Sequence, residues 1–108
     1  MKVEREDSEG AALFTVEGQI DMHSSPDFRH HLRRALEERK SPVVVDLAAV
    51  PFIDSSGLAT LIEALQGIGR YGGKLRLVSL TPNVMNLFRL SNLTSIFDIR
   101  ESRAEALD

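Results

Sequence analysis

The chain has 108 residues, 43% of them apolar, with no cysteine and a formal net charge of -3. That is one domain of ordinary size around one hydrophobic core, without a disulfide framework, a thiolate metal site or a cysteine nucleophile, and its natural compartment is a reducing cytoplasm. An acidic balance with only 6% aromatic residues argues against a nucleic-acid binder that neutralises phosphates or stacks bases.

In chain order, Met1-Lys2-Val3-Glu4-Arg5-Glu6-Asp7 is charged and lacks the apolar core of a secretory signal, and no apolar run is long enough to span a bilayer. Val3 to Arg5 reads as a weak strand and Ala12 to Glu17 as a better one, joined by the turn Asp7-Ser8-Glu9-Gly10 into a hairpin. After Gly18-Gln19-Ile20-Asp21, the run Ser24-Ser25-Pro26-Asp27 predicts a helix start with Ser25 as cap, Pro26 at the first helical position and Asp27 near the positive end of the dipole. Phe28, Leu32, Ala35 and Leu36 form its apolar stripe. Arg29, Arg33, Arg34, Glu37, Glu38 and Arg39 give it a solvated face of mixed charge rather than a basic patch.

Ser41-Pro42 closes that helix. Val43-Val44-Val45-Asp46-Leu47 lacks alternation, as a strand buried on both faces of a parallel sheet does. A second helix is expected from about Gly57 to Tyr71, with Leu58, Leu61, Ile62 and Leu65 as its stripe and Gly72-Gly73 as its left-handed end. Lys74 to Val78 is read as a further strand. Thr81-Pro82-Asn83 starts a third helix, with Val84, Leu87 and Phe88 inward and its end at Ser91-Asn92. A short last strand, Ile96 to Ile99, and a marginal helix within Glu101 to Leu107 follow. Strands alternating with helices after a hairpin make an α/β domain with a mostly parallel sheet and right-handed crossovers.

Asp54, Ser55 and Ser56 stand where the second helix begins. Short oxygen-bearing side chains there accept from the free N–H groups of the first turn, so on local sequence a helix cap is the default reading; the sharper alternative is an exposed hydroxyl on rigid flanks, open to modification. Other motifs fall away. Gly67-Ile68-Gly69-Arg70-Tyr71-Gly72 spells a dinucleotide-binding pattern but ends a helix, whereas a pyrophosphate needs a helix N-terminus. Gly73-Lys74 lacks the glycine and the Ser or Thr of a phosphate loop. His23, His30 and His31 have no metal-ligand spacing and are read as solvated, and no metal is expected. A hydrolase nucleophile at Ser55 or Ser56 would follow Gly-x rather than Ile53-Asp54.

Asp54-Ser55-Ser56-Gly57-Leu58, preceded by Val43 to Leu47 and Phe52-Ile53, resembles the signature of STAS domains, and specifically of bacterial anti-sigma factor antagonists. Gly18-Gln19-Ile20-Asp21, Gly72-Gly73-Lys74-Leu75 and Thr81-Pro82-Asn83-Val84 resemble further segments of that family, so the likeness runs from Ala12 to Ile99. Gln19, where an acidic residue is common, and Asn92, where glycine is common, depart from the pattern.

The resemblance implies a STAS-like single domain over residues 1–108. It implies a substrate and binding module, not an enzyme, that needs no cofactor. The unphosphorylated form would bind an anti-sigma factor serine kinase of the histidine-kinase-like ATPase fold and so release a sigma factor. The kinase would phosphorylate Ser55, and a PP2C-type phosphatase would reverse this. Asp21, Asp54, Ser56 and Gly57 would shape the acceptor site, Ser56 chiefly as the helix cap, with Ile20, Ile53 and Leu58 toward the partner. Ranking Ser55 above Ser56 rests on the family. An adaptor role in a stressosome or a lipid-transport ABC complex, and either a monomer or a weak dimer, stay open.

Overall fold

In the computed structural model, which describes residues 1–107, the strands are β1 (Lys2–Ser8), β2 (Ala11–Glu17), β3 (Val43–Ala49), β4 (Leu75–Val78) and β5 (Asp98–Arg100). They form one five-stranded sheet in that same order, with β1 and β2 antiparallel and every other neighbouring pair parallel. The helices are α1 (Ser25–Glu37), α2 (Ser55–Arg70), α3 (Pro82–Leu90) and α4 (Arg103–Leu107). The hairpin and the mostly parallel sheet are those expected from the sequence.

β3 lies at the centre, and its lack of alternation is explained by burial on both sides. Val43, Val45 and Leu47 join Phe14, Phe28, Leu32, Leu61, Leu77 and Phe88 in the main core. Val44 faces the opposite way and packs with Leu13, Val78 and Ala106.

Several boundaries differ from expectation for physical reasons. β1 is longer than Val3 to Arg5 because its whole length pairs with β2, which confines the turn to Glu9 and Gly10, at φ 47 and 87°. α1 stops at Glu37 as the chain turns through Arg39 at φ 55°. α1 also begins at Ser25 itself, with Ser24 as the boundary residue. The Ser24 hydroxyl accepts from the Asp21 N–H at 2.9 Å instead of capping α1.

α2 begins at Ser55, two residues before the expected start. Its innermost face is Gly57, Thr60, Leu61, Ala64, Gly67 and Ile68, while Leu58, Ile62 and Leu65 are half-buried. Small residues occupy that face because α2 packs against α1 as well as the sheet, and close approach requires them. Gly72 at φ 76° and Asn92 at φ 57° supply the left-handed residues expected after α2 and α3. The last strand is Asp98–Arg100 rather than Ile96 to Ile99: Ile96 is exposed, and Phe97 turns inward against Phe88 with ring centroids 5.5 Å apart.

α4 is too short to hold itself and is docked. Arg103 donates from Nε to Asp46 Oδ2 at 2.6 Å and from Nη2 to Thr15 Oγ1 at 2.7 Å, while Arg76 Nη1 reaches the Ala106 carbonyl at 2.6 Å. Arg103→Ala leaves Asp46, whose side chain is only 10% exposed, with the Ala48 N–H on Oδ1 and, among the described residues, nothing on Oδ2. The expected loss is about 1–2 kcal/mol, since charge-assisted hydrogen bonds are strong but Arg103 is itself partly solvated. A urea denaturation midpoint equal to that of the wild type would contradict this docking.

Candidate functional site

Past the C-terminal ends of β2 and β3 the two chains continue side by side. Gly18 donates to the Ala49 carbonyl at 2.9 Å, Ile20 to Phe52 at 3.0 Å and Asp54 to Ile20 at 3.1 Å, with an isolated parallel bridge between Ile20 and Ile53. Segments 18–24 and 50–54 are thereby fastened into one platform beneath the start of α2. Ile20 and Ile53 are 0% and 1% exposed. The expectation that they face a partner is therefore corrected, because both side chains are consumed in the platform's floor. Gly57 sits on that floor, where a Cβ would lie 2.7 Å from Ile53 Cγ2 and 2.9 Å from Ile20 Cγ2. Leu58 is half-buried against the core.

The cap of α2 is Asp54, in extended backbone. Its Oδ1 accepts from the N–H groups of Ser56 at 2.9 Å and Gly57 at 3.2 Å and from the Ser56 hydroxyl at 2.5 Å, and its Oδ2 accepts from the Met22 N–H at 3.1 Å. The capping role expected of Ser56 thus belongs to Asp54, and Ser56 is a donor to the cap. The two serines are unlike. Ser56 is half-buried with its hydroxyl engaged, whereas Ser55 is exposed and its hydroxyl has no hydrogen-bond partner among the described residues.

The Ser56 hydroxyl, followed by the Gly57, Ser56 and Met22 N–H groups, holds the Asp54 carboxyl below its usual range against a smaller opposing push from burial. Asp21 is lowered in the same way by the Ser24 and His23 N–H groups, and its Oδ1 accepts from them at 3.1 and 2.9 Å. Asp21 therefore shapes its own turn, and Asp54 is what ties that turn to α2.

Both carboxyls are depressed on folding, so the stability they contribute is fully present above the ordinary Asp value of about 4 and is lost as pH falls through the lower folded values. As pH falls through the depressed folded value of Asp54, the Met22 amide is expected to be released before the sheet opens. Amide exchange along a descending pH series checks this, with the Asp54 carboxyl carbon shift in the NMR spectrum marking its protonation, and a Met22 N–H as protected once Asp54 is protonated as at about pH 7 would contradict it.

Two exposed apolar residues of the platform escaped the sequence reading: Met22, 69% exposed, and Phe52, 49% exposed. The available signal was an apolar residue set inside a polar turn, Asp21-Met22-His23, and another directly after Pro51. His30 and His31 stand on α1, away from this turn, whereas His23 lies within it and gives Asp21 its N–H. His31 is not fully solvated: it is half-buried, with its ring edge-on to Phe14 at 6.3 Å. Arg29 and Arg33, read as a solvated face, reach across to Glu63 of α2 at 3.1 and 2.8 Å. Among the described residues no cluster of His, Asp or Glu could hold a metal ion, and no helix is long and apolar enough to cross a membrane.

The model of the STAS domain family matches residues 2–106. An anti-sigma F factor antagonist of Paenibacillus polymyxa is 28% identical over 99% of this chain and 92% of its own length. An anti-sigma-B factor antagonist of Bacillus subtilis is 28% identical over 92% of this chain and 90% of its own. The crystal structure of an anti-sigma factor antagonist from Mycobacterium paratuberculosis superposes with a TM-score of 0.89 at 26% identity, covering 98% of this chain and 90% of that one.

Proposed function

The chain belongs to the STAS domain family, and from that premise we propose that it is an anti-sigma factor antagonist whose switch is phosphorylation of Ser55. In its unmodified form it binds an anti-sigma factor serine kinase of the histidine-kinase-like ATPase fold in the cytoplasm, freeing a sigma factor. The names borne by its relatives support the first part of this reading. The single observation that carries the second is the contrast at the start of α2: a free, exposed Ser55 hydroxyl beside a Ser56 hydroxyl tied to Asp54 at 2.5 Å.

The chemistry follows from that contrast. The Ser55 oxygen attacks the γ-phosphorus of ATP, the new O–P bond forms as the β–γ bridge breaks, and ADP leaves. The hydroxyl proton passes to a base supplied by the kinase, while Asp54 Oδ1 holds the cap. Asp54, Asp21, Ser56 and Gly57 position the acceptor, Ile20 and Ile53 support it from beneath, and Leu58 anchors the first turn. The phosphate adds roughly -1.5 to -2 charges at a helix N-terminus, a place that tolerates anions, so the fold survives and a PP2C-type phosphatase finds an accessible ester.

The test is to incubate the protein with the serine-kinase anti-sigma factor of its source organism and ATP, and to map phosphate by mass spectrometry. Phosphate is expected on Ser55, abolished in Ser55→Ala and retained in Ser56→Ala. Modification that vanishes only in Ser56→Ala would overturn the assignment.

A further inference from the structure

The acceptor platform carries an apolar rim whose use is unassigned. Six large apolar side chains are exposed among the described residues, and Met22, Phe52 and Leu90 are three of them. Met22 is held by its N–H on Asp54, the residue before Ser55, and Phe52 is held by its carbonyl on Ile20. Phe52 opens a groove of about 230 Å³ that runs along α3 past Leu87 to Leu90 and contains no charged side chain. Segments 18–24 and 50–54 contain no lysine or arginine, and the two aspartates there are satisfied by N–H and O–H groups.

Resting on the reading of Ser55 as the phosphoacceptor, we infer that Met22 and Phe52 are the contacts that seat the kinase over Ser55, and that phosphate ends the complex by dehydration rather than by repulsion. A flexible thioether and an aromatic ring, both on fixed backbone, are the side chains that give hot-spot contacts at small interfaces. An apolar partner surface closing on them removes water from whatever stands between. A neutral hydroxyl loses little by this. A dianion with no lysine or arginine in segments 18–24 and 50–54, and only the first turn of α2 to receive it, gives up more hydration than it recovers, and the complex opens.

The experiment measures binding of the ADP-loaded kinase to the wild type, Ser55→Asp, Met22→Ser/Phe52→Ser and the combination of all three changes, at roughly 50 mM and 500 mM salt. Both apolar positions are solvent-exposed, so the fold should persist, as thermal melting will verify. The double variant is expected to bind about tenfold more weakly than wild type. The penalty for Ser55→Asp should shrink in the double-variant background and hold steady in salt. Double-variant binding equal to wild type would overturn the inference, as would a penalty that collapses at high salt, which is the mark of repulsion. If the double change instead dissolves a dimer and leaves kinase binding intact, the rim joins two copies of this chain and the inference fails. These outcomes leave the role of Ser55 standing; a wild type that ignores the kinase, or a Ser55→Asp form that binds like wild type, overturns both readings.

Discussion

Gly57→Val is expected to cost about 2–3 kcal/mol of stability and to pull the acceptor platform apart. Glycine in a helix is ordinarily a weakness, and replacing it with alanine gains up to about 1 kcal/mol. Here geometry opposes that gain. A Cβ at Gly57 would meet Ile53 Cγ2 at 2.7 Å, Ile20 Cγ2 at 2.9 Å and the Ile20 carbonyl oxygen at 3.1 Å. The two methyl groups can turn aside, but the carbonyl is fixed by its hydrogen bond from Asp54 at 3.1 Å. Alanine should therefore lose about 1 kcal/mol net, and valine, with two more carbons directed at the same floor, considerably more. Urea denaturation gives the stability, and amide exchange at Met22 and Asp54 reports the platform. A valine variant with the wild-type midpoint would show that Gly57 is there for some other reason.

Ser55→Asp should lower affinity for the kinase about ten- to hundredfold, the equivalent of 1–3 kcal/mol, while Ser55→Ala and Ser55→Asn stay within a few-fold of wild type. The same substitution should leave the fold unharmed or slightly firmer, because a carboxylate in the first turn of a 16-residue helix meets the dipole's positive end and gains roughly 0.3–1 kcal/mol. The opposite signs make the experiment decisive. Binding lost together with stability would mean that the charge damages the domain; binding lost while the melting temperature holds or rises isolates a change at the contact surface. An aspartate variant that binds like wild type would remove the case for a phosphorylation switch.

What was legible in the sequence was what neighbours in the chain decide. The unalternating valines gave a strand covered on both faces, Pro26 and Pro82 marked first turns, and Gly72 and Asn92 marked the left-handed ends of α2 and α3. What escaped depends on partners far along the chain. The Met22 N–H meets Asp54 from 32 residues away, and the Ile20–Ile53 bridge turns two supposed contact residues into a floor. The stripe of α2 was incomplete for a related reason: periodicity found Leu61 and the partly buried Leu58, Ile62 and Leu65, but the presence of α1 makes the flank of small residues the innermost one. Ser55 and Ser56 are the same residue type side by side, so only the hydrogen bond from one of them to Asp54 tells them apart.

The strands stand in the sheet in the order in which they are synthesised. As the chain leaves the ribosome, each new strand finds the previous edge already waiting, so assembly can proceed unit by unit without threading a late strand between early ones. The Ser55 corner is complete once α2 has emerged, well before the final segment. The grip of Arg103 on Asp46 and Thr15, 57 and 88 residues back, is then a latch that shuts last, over the strip of Leu13, Val44 and Val78 left open until that moment.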